Sequence, residues 1–196
     1  MILAVAVIAG IVAGAARASV YHHPFAVPRL SAEWLVLVAV APQLVVFFLP
    51  VFRRTFGTEV ASITLVGSLL LLMVFVFFNR TNPPLLVLGV GLLLNFLVIV
   101  ANGGLMPLSP ETVARLDVAA PVEEWSYGER IGGTKNVLLT DEDTRLAMLS
   151  DRFVLPAWFP LPVAYSLGDV FIAAGAFWFF WRAGAGPGPG ATNNAD

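Results

Sequence analysis

Five apolar segments recur along the chain, and each is bounded by charged residues, prolines or polar turns. They cover approximately residues 1–16, 31–51, 59–78, 84–101 and 166–182. A helix that crosses the hydrocarbon core of a bilayer needs about 20 apolar residues, with a workable range of about 17 to 25. The pattern therefore predicts an all-α membrane protein, built as a bundle of five transmembrane helices.

The polar stretches between these segments predict how the chain is organised. Residues 79–84, "NRTNPP", are too few for anything except an antiparallel hairpin between the third and fourth helices. We expect residues 1–101 to form a four-helix membrane part and residues 102–165 to form a loop subdomain outside the membrane. Residues 183–196 are rich in Gly, Ala and Pro and lack packing residues, which predicts a disordered tail.

The long loop carries patterns that are typical of short helices. In "SPET", residues 109–112, a serine N-cap candidate precedes a proline suited to the first helical position. In "TDEDTRLAMLSDRF", Thr140 lies three residues before Asp143, which is a capping-box spacing and predicts a second helix. The apolar face of that helix would consist of Leu146, Leu149 and Phe153. Between the two, "GERIGGTKNVLL" predicts a turn followed by a short extended run.

The distribution of arginines predicts the orientation in the membrane, because cytoplasmic flanks carry an excess of Lys and Arg. One side would carry Arg17, Arg29, Arg80 and Arg182. The other side would carry Arg53, Arg54 and the long loop, in which nine acidic residues outnumber five basic ones. We expect a multi-pass protein of the cell membrane with its N-terminus and long loop outside and its C-terminus in the cytoplasm.

The composition agrees with a membrane location and narrows the choice of partners. Of the 196 residues, 58% are hydrophobic and only 12% are charged, against about 25% charged in soluble domains, and the mean hydropathy is +0.84. The net charge of −2 leaves no basic excess for nucleic acid phosphates, so no nucleic acid partner is expected. The expected partner is membrane lipid, and other membrane protein subunits are a further candidate.

The chain offers little metal-binding chemistry. It has no cysteine, which excludes disulfides, thiolate ligands and cysteine nucleophiles. His22 and His23 are adjacent and point in different directions, so they make a poor chelate. The acids at residues 141–143 lack the turn glycine and distal acid of an oxygen-ligand loop, and they suit the macrodipole at a helix start. We therefore predict no metal site and no cofactor.

Asp169 is the most informative ionisable residue, because it lies just inside the fifth apolar segment, in "YSLGDVFIAAG". Acids inside membrane helices are rare and are candidates for function by default. Ser166 and Asp169 also have the spacing of a capping box, in which the carboxylate only satisfies backbone N–H groups. We favour the capping role and keep Asp169 as the candidate catalytic residue.

The fourth apolar segment carries two amides, Asn95 and Asn102, on one helical face. Asn95 lies within the segment and must find hydrogen-bond partners, so it should face the bundle. The fourth helix leaves the membrane where the fifth enters it, so both amides can converge with Asp169, and the glycine pair that follows allows a tight turn. An equally supported alternative is that the amides only join helices. The predicted ligand-binding residues are Asn95, Asn102, Gly103, Gly104, Ser166 and Asp169.

Three stretches carry a resemblance to a known family. "LLLNFLVIVANGGLMPLSPE", "KNVLLTDEDTRLAMLSD" and "YSLGDVFIAAG" resemble a bacterial multi-pass membrane family catalogued as domain of unknown function 5317. The resemblance covers nearly everything up to about Arg182. It implies a membrane location and this arrangement of spans, and it carries over no catalytic residues.

The stretch "YSLGDVFIAAG" also resembles the second aspartate motif of lipoprotein signal peptidases, Phe-Asn-x-Ala-Asp-x-x-Ile-x-x-Gly. The positions that match are Asp169, Ile172 and Gly175, and those that depart are Tyr165, Ser166 and Gly168. In that family the preceding span ends in Asn-x-x-Asp, whereas here Asn95 is followed by Val98. Aspartic catalysis needs two carboxyl groups. The missing one would have to come from Asp117, Asp151 or another loop acid.

We therefore expect a structural or ligand-handling membrane protein rather than an enzyme, with the loop subdomain closing over the polar cluster. The alternative is an intramembrane aspartic-type hydrolase acting on a lipid-linked or lipoprotein substrate, with Asp169 as one catalytic carboxyl. A small transporter subunit is the third interpretation, supported only by Pro42 and Gln43 near the middle of the second apolar segment.

Overall fold

The computed structural model of the protein describes residues 2–49, 51–52, 55–116, 126–156, 159 and 162–185. This part of the chain is mostly helical, as the apolar pattern predicts, and carries two short two-stranded sheets. The helices are α1 (Ile2–Val20), α2 (Trp34–Gln43), α3 (Thr58–Phe78), α4 (Pro83–Ala101), α5 (Pro110–Arg115) and α6 (Leu167–Ala183). The strands are β1 (Met106–Leu108), β2 (Asn136–Leu138), β3 (Phe153–Val154) and β4 (Ala164–Tyr165).

The long helices pack in an order that differs from their order in the chain. The hairpin predicted from residues 79–84 is confirmed, with α3 packed against α4. The second helix packs against α3, whereas α6 lies between α4 and α1. The last helix of the sequence therefore joins the first helix to the hairpin.

Glycines allow α6 to approach both of its neighbours closely. Gly10 and Gly14 of α1 lie against the backbone of α6, and a Cβ added at either position would overlap that backbone. Gly91 of α4 lies against the backbone of α6, and Gly175 of α6 lies against the backbone of α4. A Cβ added at either position would overlap the neighbouring helix. Close backbone approach at small residues is the usual way in which helices associate in membranes.

Three helices of the described chain, α1, α3 and α4, are long and apolar enough to cross a membrane, with 19, 21 and 19 residues. The first continues past its predicted end at residue 16 as far as Val20. The last, α6, has 17 residues, which is the lower limit for a span. The predicted second span is a shorter apolar helix in which α2 continues as a π-helical turn, Leu44–Phe48, two residues after Pro42.

The described residues between α4 and α6, called here the loop subdomain, carry α5 and both short sheets. β1 and β2 form a parallel pair, and β3 and β4 form an antiparallel pair. The prediction of α5 is confirmed, since Ser109 Oγ accepts a hydrogen bond from the Thr112 N–H. The Arg130 guanidinium donates to the carbonyl oxygens of Phe56 and Val46, which lie before α3 and in the π-helical turn. Arg130 therefore ties the subdomain to the helices.

The second helix predicted in the subdomain, starting at Thr140, is wrong. Thr140 Oγ1 accepts from the Asp143 N–H as a cap would, but only a turn and the short 3-10 helix Ala147–Leu149 follow. Both backbone hydrogen-bonding groups of Arg145 are bound to the side chain of Asn102, at 2.8 and 2.9 Å, and cannot take part in a helix. A tertiary contact therefore overrides the local signal.

The apolar face predicted for that helix is also wrong. Leu149 packs against the core, whereas Leu146 and Phe153 are exposed. Leu146 takes a left-handed backbone conformation with a φ of 56°, which ends any helical run at that point. Phe153 instead starts β3 and packs its ring on Tyr165 at a centroid distance of 5.6 Å.

The predicted tail begins too early, because residues 183–185 belong to the packed structure. Ala183 ends α6 and its carbonyl oxygen accepts from the Ala26 N–H at 2.9 Å, while Gly184 lies against Gly14. Residues 186–196 lie outside the described part of the chain, as do Arg53, Arg54 and the loop acid Asp117.

Candidate functional site

The start of α6 is built as the sequence predicts. Ser166 Oγ accepts from the Asp169 N–H at 3.0 Å, and Asp169 Oδ2 accepts from the Ser166 N–H at 3.2 Å, which completes a capping box. This reciprocal arrangement satisfies two backbone donors that have no partner inside the helix. The capping interpretation of Asp169 is confirmed, but the same carboxylate also has a partner on another helix.

That partner is Asn95, which is 5% exposed and packs against the first turn of α6. Its Nδ2 donates to Asp169 Oδ1 at 2.9 Å, and its Oδ1 accepts from Ser166 Oγ–H at 2.8 Å. Gly168 makes room for this amide, because a Cβ there would overlap Asn95 Oδ1. Three of the predicted site residues, Asn95, Ser166 and Asp169, therefore form one hydrogen-bonded network, called here the interhelical network.

Asn102 lies two turns further along α4, and its hydrogen bonds lead elsewhere. Its side chain binds the backbone of Arg145, as described above, and donates to the Val98 carbonyl oxygen at 2.7 Å. Asn102 therefore holds the loop subdomain at the end of α4, and its side chain makes no hydrogen bond to the interhelical network.

Gly103 and Gly104 turn the chain out of α4 and into the loop subdomain. Both have positive φ angles, 79° and 89°, which glycine adopts without steric cost. The Gly103 carbonyl oxygen accepts from Ser62 Oγ at 3.2 Å, and Gly104 lies against the Cβ of Ser62. The two glycines shape the junction and bring β1 into place.

An ion pair that the sequence did not predict lies in the segment between α4 and α6. Lys135 Nζ donates to Asp151 Oδ2 at 2.7 Å, and Asn136 Nδ2 donates to the same oxygen at 2.9 Å. The Asp151 side chain is 1% exposed and that of Lys135 is 37% exposed. Among the described residues, Asp151 Oδ1 has no hydrogen-bond donor.

The charge of Asp169 acts on both members of this pair. Burial raises the pKa of Asp151, and the negative charge of Asp169 adds to the rise, while Lys135 opposes it. Burial alone would lower the pKa of Lys135, but Asp151 and Asp169 outweigh it and raise that pKa above its ordinary value. The protonation of both members of the ion pair therefore responds to the charge of Asp169.

The spacing of residues in the sequence gives no signal for this ion pair. Lys135 and Asn136 adjoin β2, and Asp151 follows the 3-10 helix in a segment that was predicted to be helical. They meet because β2 pairs with β1 at the end of α4. Among the described residues there is no group of three or more His, Cys, Asp or Glu side chains that could hold a metal ion.

Comparison with known proteins shows one family. The family described as "Family of unknown function (DUF5317)" matches residues 28–181. The match covers well over half of the chain and contains every residue of the interhelical network and of the ion pair, and it confirms the resemblance found in the sequence. No curated protein and no solved structure matches the chain.

Proposed function

The chain belongs to this family of unknown function, and on that basis we propose that it is a multi-pass membrane protein whose helices α1, α2, α3, α4 and α6 all cross the bilayer. The lengths of α1, α3 and α4 support the proposal, and α2 gains length from the π-helical turn. The directions of the helices also support it. Gly10 and Gly14 lie against Phe177 and Phe180, so α1 and α6 run parallel, as the first and fifth spans must.

We propose that the ends of α1 and α6 that carry Arg17 and Arg182 face the cytoplasm. The arginine distribution supports this orientation, and Arg17 lies over the Trp181 ring at 4.4 Å, which places both at one end of the bundle. Reporter fusions after Phe78 and after Lys135 should report opposite compartments, with Lys135 outside. If the reporter after Lys135 is found in the cytoplasm, the orientation of the protein is the reverse of the one proposed.

For the activity, we propose that the protein binds a small polar group or a lipid headgroup at the external end of α4 and α6. Two observations carry this proposal: the polar interhelical network lies at that end of the two helices, and the buried carboxylate of Asp151, in the segment that joins them, has one oxygen without a donor among the described residues. A capping box alone would not need the contact with Asn95. Buried polar groups in native proteins are rarely left unpaired, so a donor-bearing ligand is the simplest role for the arrangement.

Native mass spectrometry of the full chain, released from detergent micelles, tests this binding function. The wild type should carry a small-molecule or lipid adduct that Asp169→Asn loses. The matched control is Asp143→Asn, which removes an exposed carboxylate of the same subdomain and should leave the adduct in place. Identical spectra for the wild type and Asp169→Asn would reject the binding function.

An aspartic-type hydrolase is the second candidate, and it is favoured by a second buried acid, Asp151, whose pKa the charge of Asp169 helps to raise. Asp151 would supply the carboxyl that the buried Val98 does not. The ionised carboxylate would take a proton from water as the water oxygen attacks a carbonyl carbon, and the protonated carboxyl would then give its proton to the leaving group. We rank it second because Lys135 and Asn136 already occupy one oxygen of Asp151.

Cleavage of a lipid-modified peptide in vesicles would decide between the two candidates. A hydrolase should cleave the peptide as wild type and lose activity in both Asp151→Asn and Asp169→Asn, with Asp143→Asn unaffected. Absence of cleavage by folded wild type, or cleavage that survives either substitution, would reject the hydrolase.

A further inference from the structure

An apolar groove with a volume of about 530 Å³ lies between α1 and α6, and it is called here the α1–α6 groove. One wall is the face of α1 that carries Ile2, Val5 and Ala6, and the opposite wall is the face of α6 from Val170 to Phe177. Ligand cavities in proteins have volumes of about 300 to 1,000 Å³. The α1–α6 groove is therefore large enough to hold a ligand or a substantial part of one.

The α1–α6 groove has a closed end and an open side. It ends where Gly10 of α1 lies against the backbone of Phe177, because the two helices are in contact there. Val5 and Val170 are 48% and 43% exposed, so the groove is open along its side. From Val170 to Phe177 the wall rises by about 10 Å along the helix axis. In the proposed membrane arrangement, the groove therefore opens towards the lipid tails and runs in the same direction as they do.

The lining of the α1–α6 groove selects an apolar occupant. Of the ten described residues that line it, none is charged and Tyr165 alone has a polar side chain. Ordered water needs about two to four polar partners, which this lining does not offer. A helix of about 10 Å diameter fills on the order of 800 Å³ over a length of 10 Å, so it would cover the groove without entering it. A thin, flexible hydrocarbon chain fits the groove better than either.

The mouth of the α1–α6 groove adjoins the interhelical network. Tyr165 and Val170 line the groove, and they flank the capping box formed by Ser166 and Asp169. Asp169 is the partly exposed member of the network, and its carboxylate is directed towards Asn95 of α4. The polar network and the apolar groove therefore lie on adjacent faces of the first turn of α6, where one amphipathic molecule can contact both.

We propose that the α1–α6 groove binds an acyl chain of a membrane lipid whose headgroup lies at Asp169. This inference rests on the binding function proposed above and deepens it, because it names a lipid as the ligand instead of a free polar molecule. Lipid tails are as apolar as the groove, so a chain gains little hydrophobic free energy by entering it from the bilayer. Packing against fixed side chains and the polar contacts of the headgroup favour the bound state. The groove therefore orients the lipid, and the network holds its polar end.

Photo-crosslinking in vesicles tests the proposal. The probe is a phospholipid with a diazirine in one acyl chain, diluted into vesicles of the same phospholipid without the diazirine. Illumination should label Ala6 and Ala174, which line the groove, about tenfold more strongly than Ile8, a ratio that corresponds to about 1.4 kcal/mol. Ile8 is 63% exposed on α1 outside the groove and reports contact with bulk lipid. Equal labelling of the groove and of Ile8 would overturn the proposal.

Variants that fill the α1–α6 groove connect the labelling to it. Ala6→Phe places a ring in the groove, whereas Ala4→Phe adds the same ring at an exposed position of α1 outside it. Labelling of Ala174 should fall to the level of Ile8 in Ala6→Phe and should stay unchanged in Ala4→Phe. If Ala6→Phe does not fold, Ala174→Phe fills the groove from an exposed position of α6, and labelling of Ala6 is then measured. A folded groove variant that keeps the wild-type labelling would overturn the proposal.

Native mass spectrometry separates the failure of this inference from the failure of the binding function. A lipid adduct that is lost in both Asp169→Asn and Ala6→Phe, and kept in Ala4→Phe, is the expected result. An adduct that depends on Asp169 but has no acyl chain, or that persists in folded Ala6→Phe, would reject the acyl chain and leave the binding function standing. A dimer that only Ala6→Phe abolishes would show that a second copy covers the groove, which would also overturn the proposal. A wild type with no adduct and no preferential labelling would reject both.

Discussion

The side-chain amide of Asn95 donates a 2.9 Å hydrogen bond to Asp169 and thereby joins α4 to the first turn of α6. The other end of the same amide accepts from Ser166 Oγ. One buried side chain thus satisfies two groups of the neighbouring helix, in a contact that glycines keep close.

Replacing Asn95 by Leu should lower the free energy of unfolding by about 1 to 2 kcal/mol, because Ser166 Oγ and Asp169 Oδ1 both lose their partner. Unfolding of the protein in detergent, followed by circular dichroism, measures the loss. Asn82→Ala is the control, since the Asn82 side chain makes no cap hydrogen bond before α4. Equal stability of Asn95→Leu and wild type would show that the network contributes nothing to folding.

Alanine at two helical glycines should have effects of opposite sign. Gly91→Ala should lower the free energy of unfolding by about 1 to 3 kcal/mol, because its Cβ would overlap the Gly168 backbone across the α4 and α6 contact. Gly67→Ala in α3 meets nothing within 4 Å and should raise it by up to about 1 kcal/mol through helix propensity. A neutral or stabilising Gly91→Ala would contradict the close packing of these helices.

The two members of the buried ion pair should not be equivalent. Lys135→Met leaves Asp151 buried without a cation and should cost about 3 to 5 kcal/mol. Asp151→Leu should cost less, since the partly exposed Lys135 can turn to solvent. The combined variant Lys135→Met with Asp151→Leu should be more stable than Lys135→Met alone. Thermal unfolding of the three proteins measures these differences, and strictly additive losses would show that the two side chains do not interact.

The pair also predicts how stability depends on pH. The pKa of Lys135 is raised above 10.5 by folding, so its contribution is fully present below pH 10.5 and is lost as the pH rises through the folded value. The pKa of Asp151 is raised above 3.8, so folding favours its protonated form.

Lys135→Met should therefore become more stable, relative to wild type, as the pH falls from about 7 to about 5, because protonation removes the uncompensated charge of Asp151. Unfolding midpoints of both proteins across this range, and of wild type from about pH 9 to 12, test the two signs. If Lys135→Met instead loses stability relative to wild type on acidification, Asp151 does not carry an uncompensated negative charge in this variant.

Asn102→Ala should release the segment around Arg145 without unfolding the helices. The substitution removes both hydrogen bonds to the Arg145 backbone, each worth about 1 kcal/mol, so amide exchange at Arg145 should quicken by about tenfold or more. Hydrogen exchange by mass spectrometry or NMR measures it. The Thr144 N–H, which donates to the Thr140 carbonyl oxygen, is an internal control that should change little. Unchanged exchange at Arg145 would show that Asn102 does not hold this segment.

The sequence by itself determined the helices and the local hydrogen bonds at their ends. Long runs of apolar residues leave little choice but helix, and the start of α6 depends on Ser166 and Asp169, which are three residues apart. The start of α5 and the hairpin at residues 79–84 also depend only on residues that are close together in the sequence. Each of these features depends on residues within one or two turns of each other, whose geometry the chain fixes without help from distant parts.

Only the tertiary structure decided which polar groups meet. Asn95 and Asn102 share a helical face, yet one binds α6 and the other binds the loop at Arg145, because the neighbours of α4 change along its length. The same contact with Asn102 replaced the helix predicted from Thr140 by a turn. Asp151 met Lys135 and Asn136, which lie 16 and 15 residues earlier in the sequence, only in the folded chain. Electrostatic coupling depends on distance in space, and separation along the sequence carries no information about it until the chain is folded.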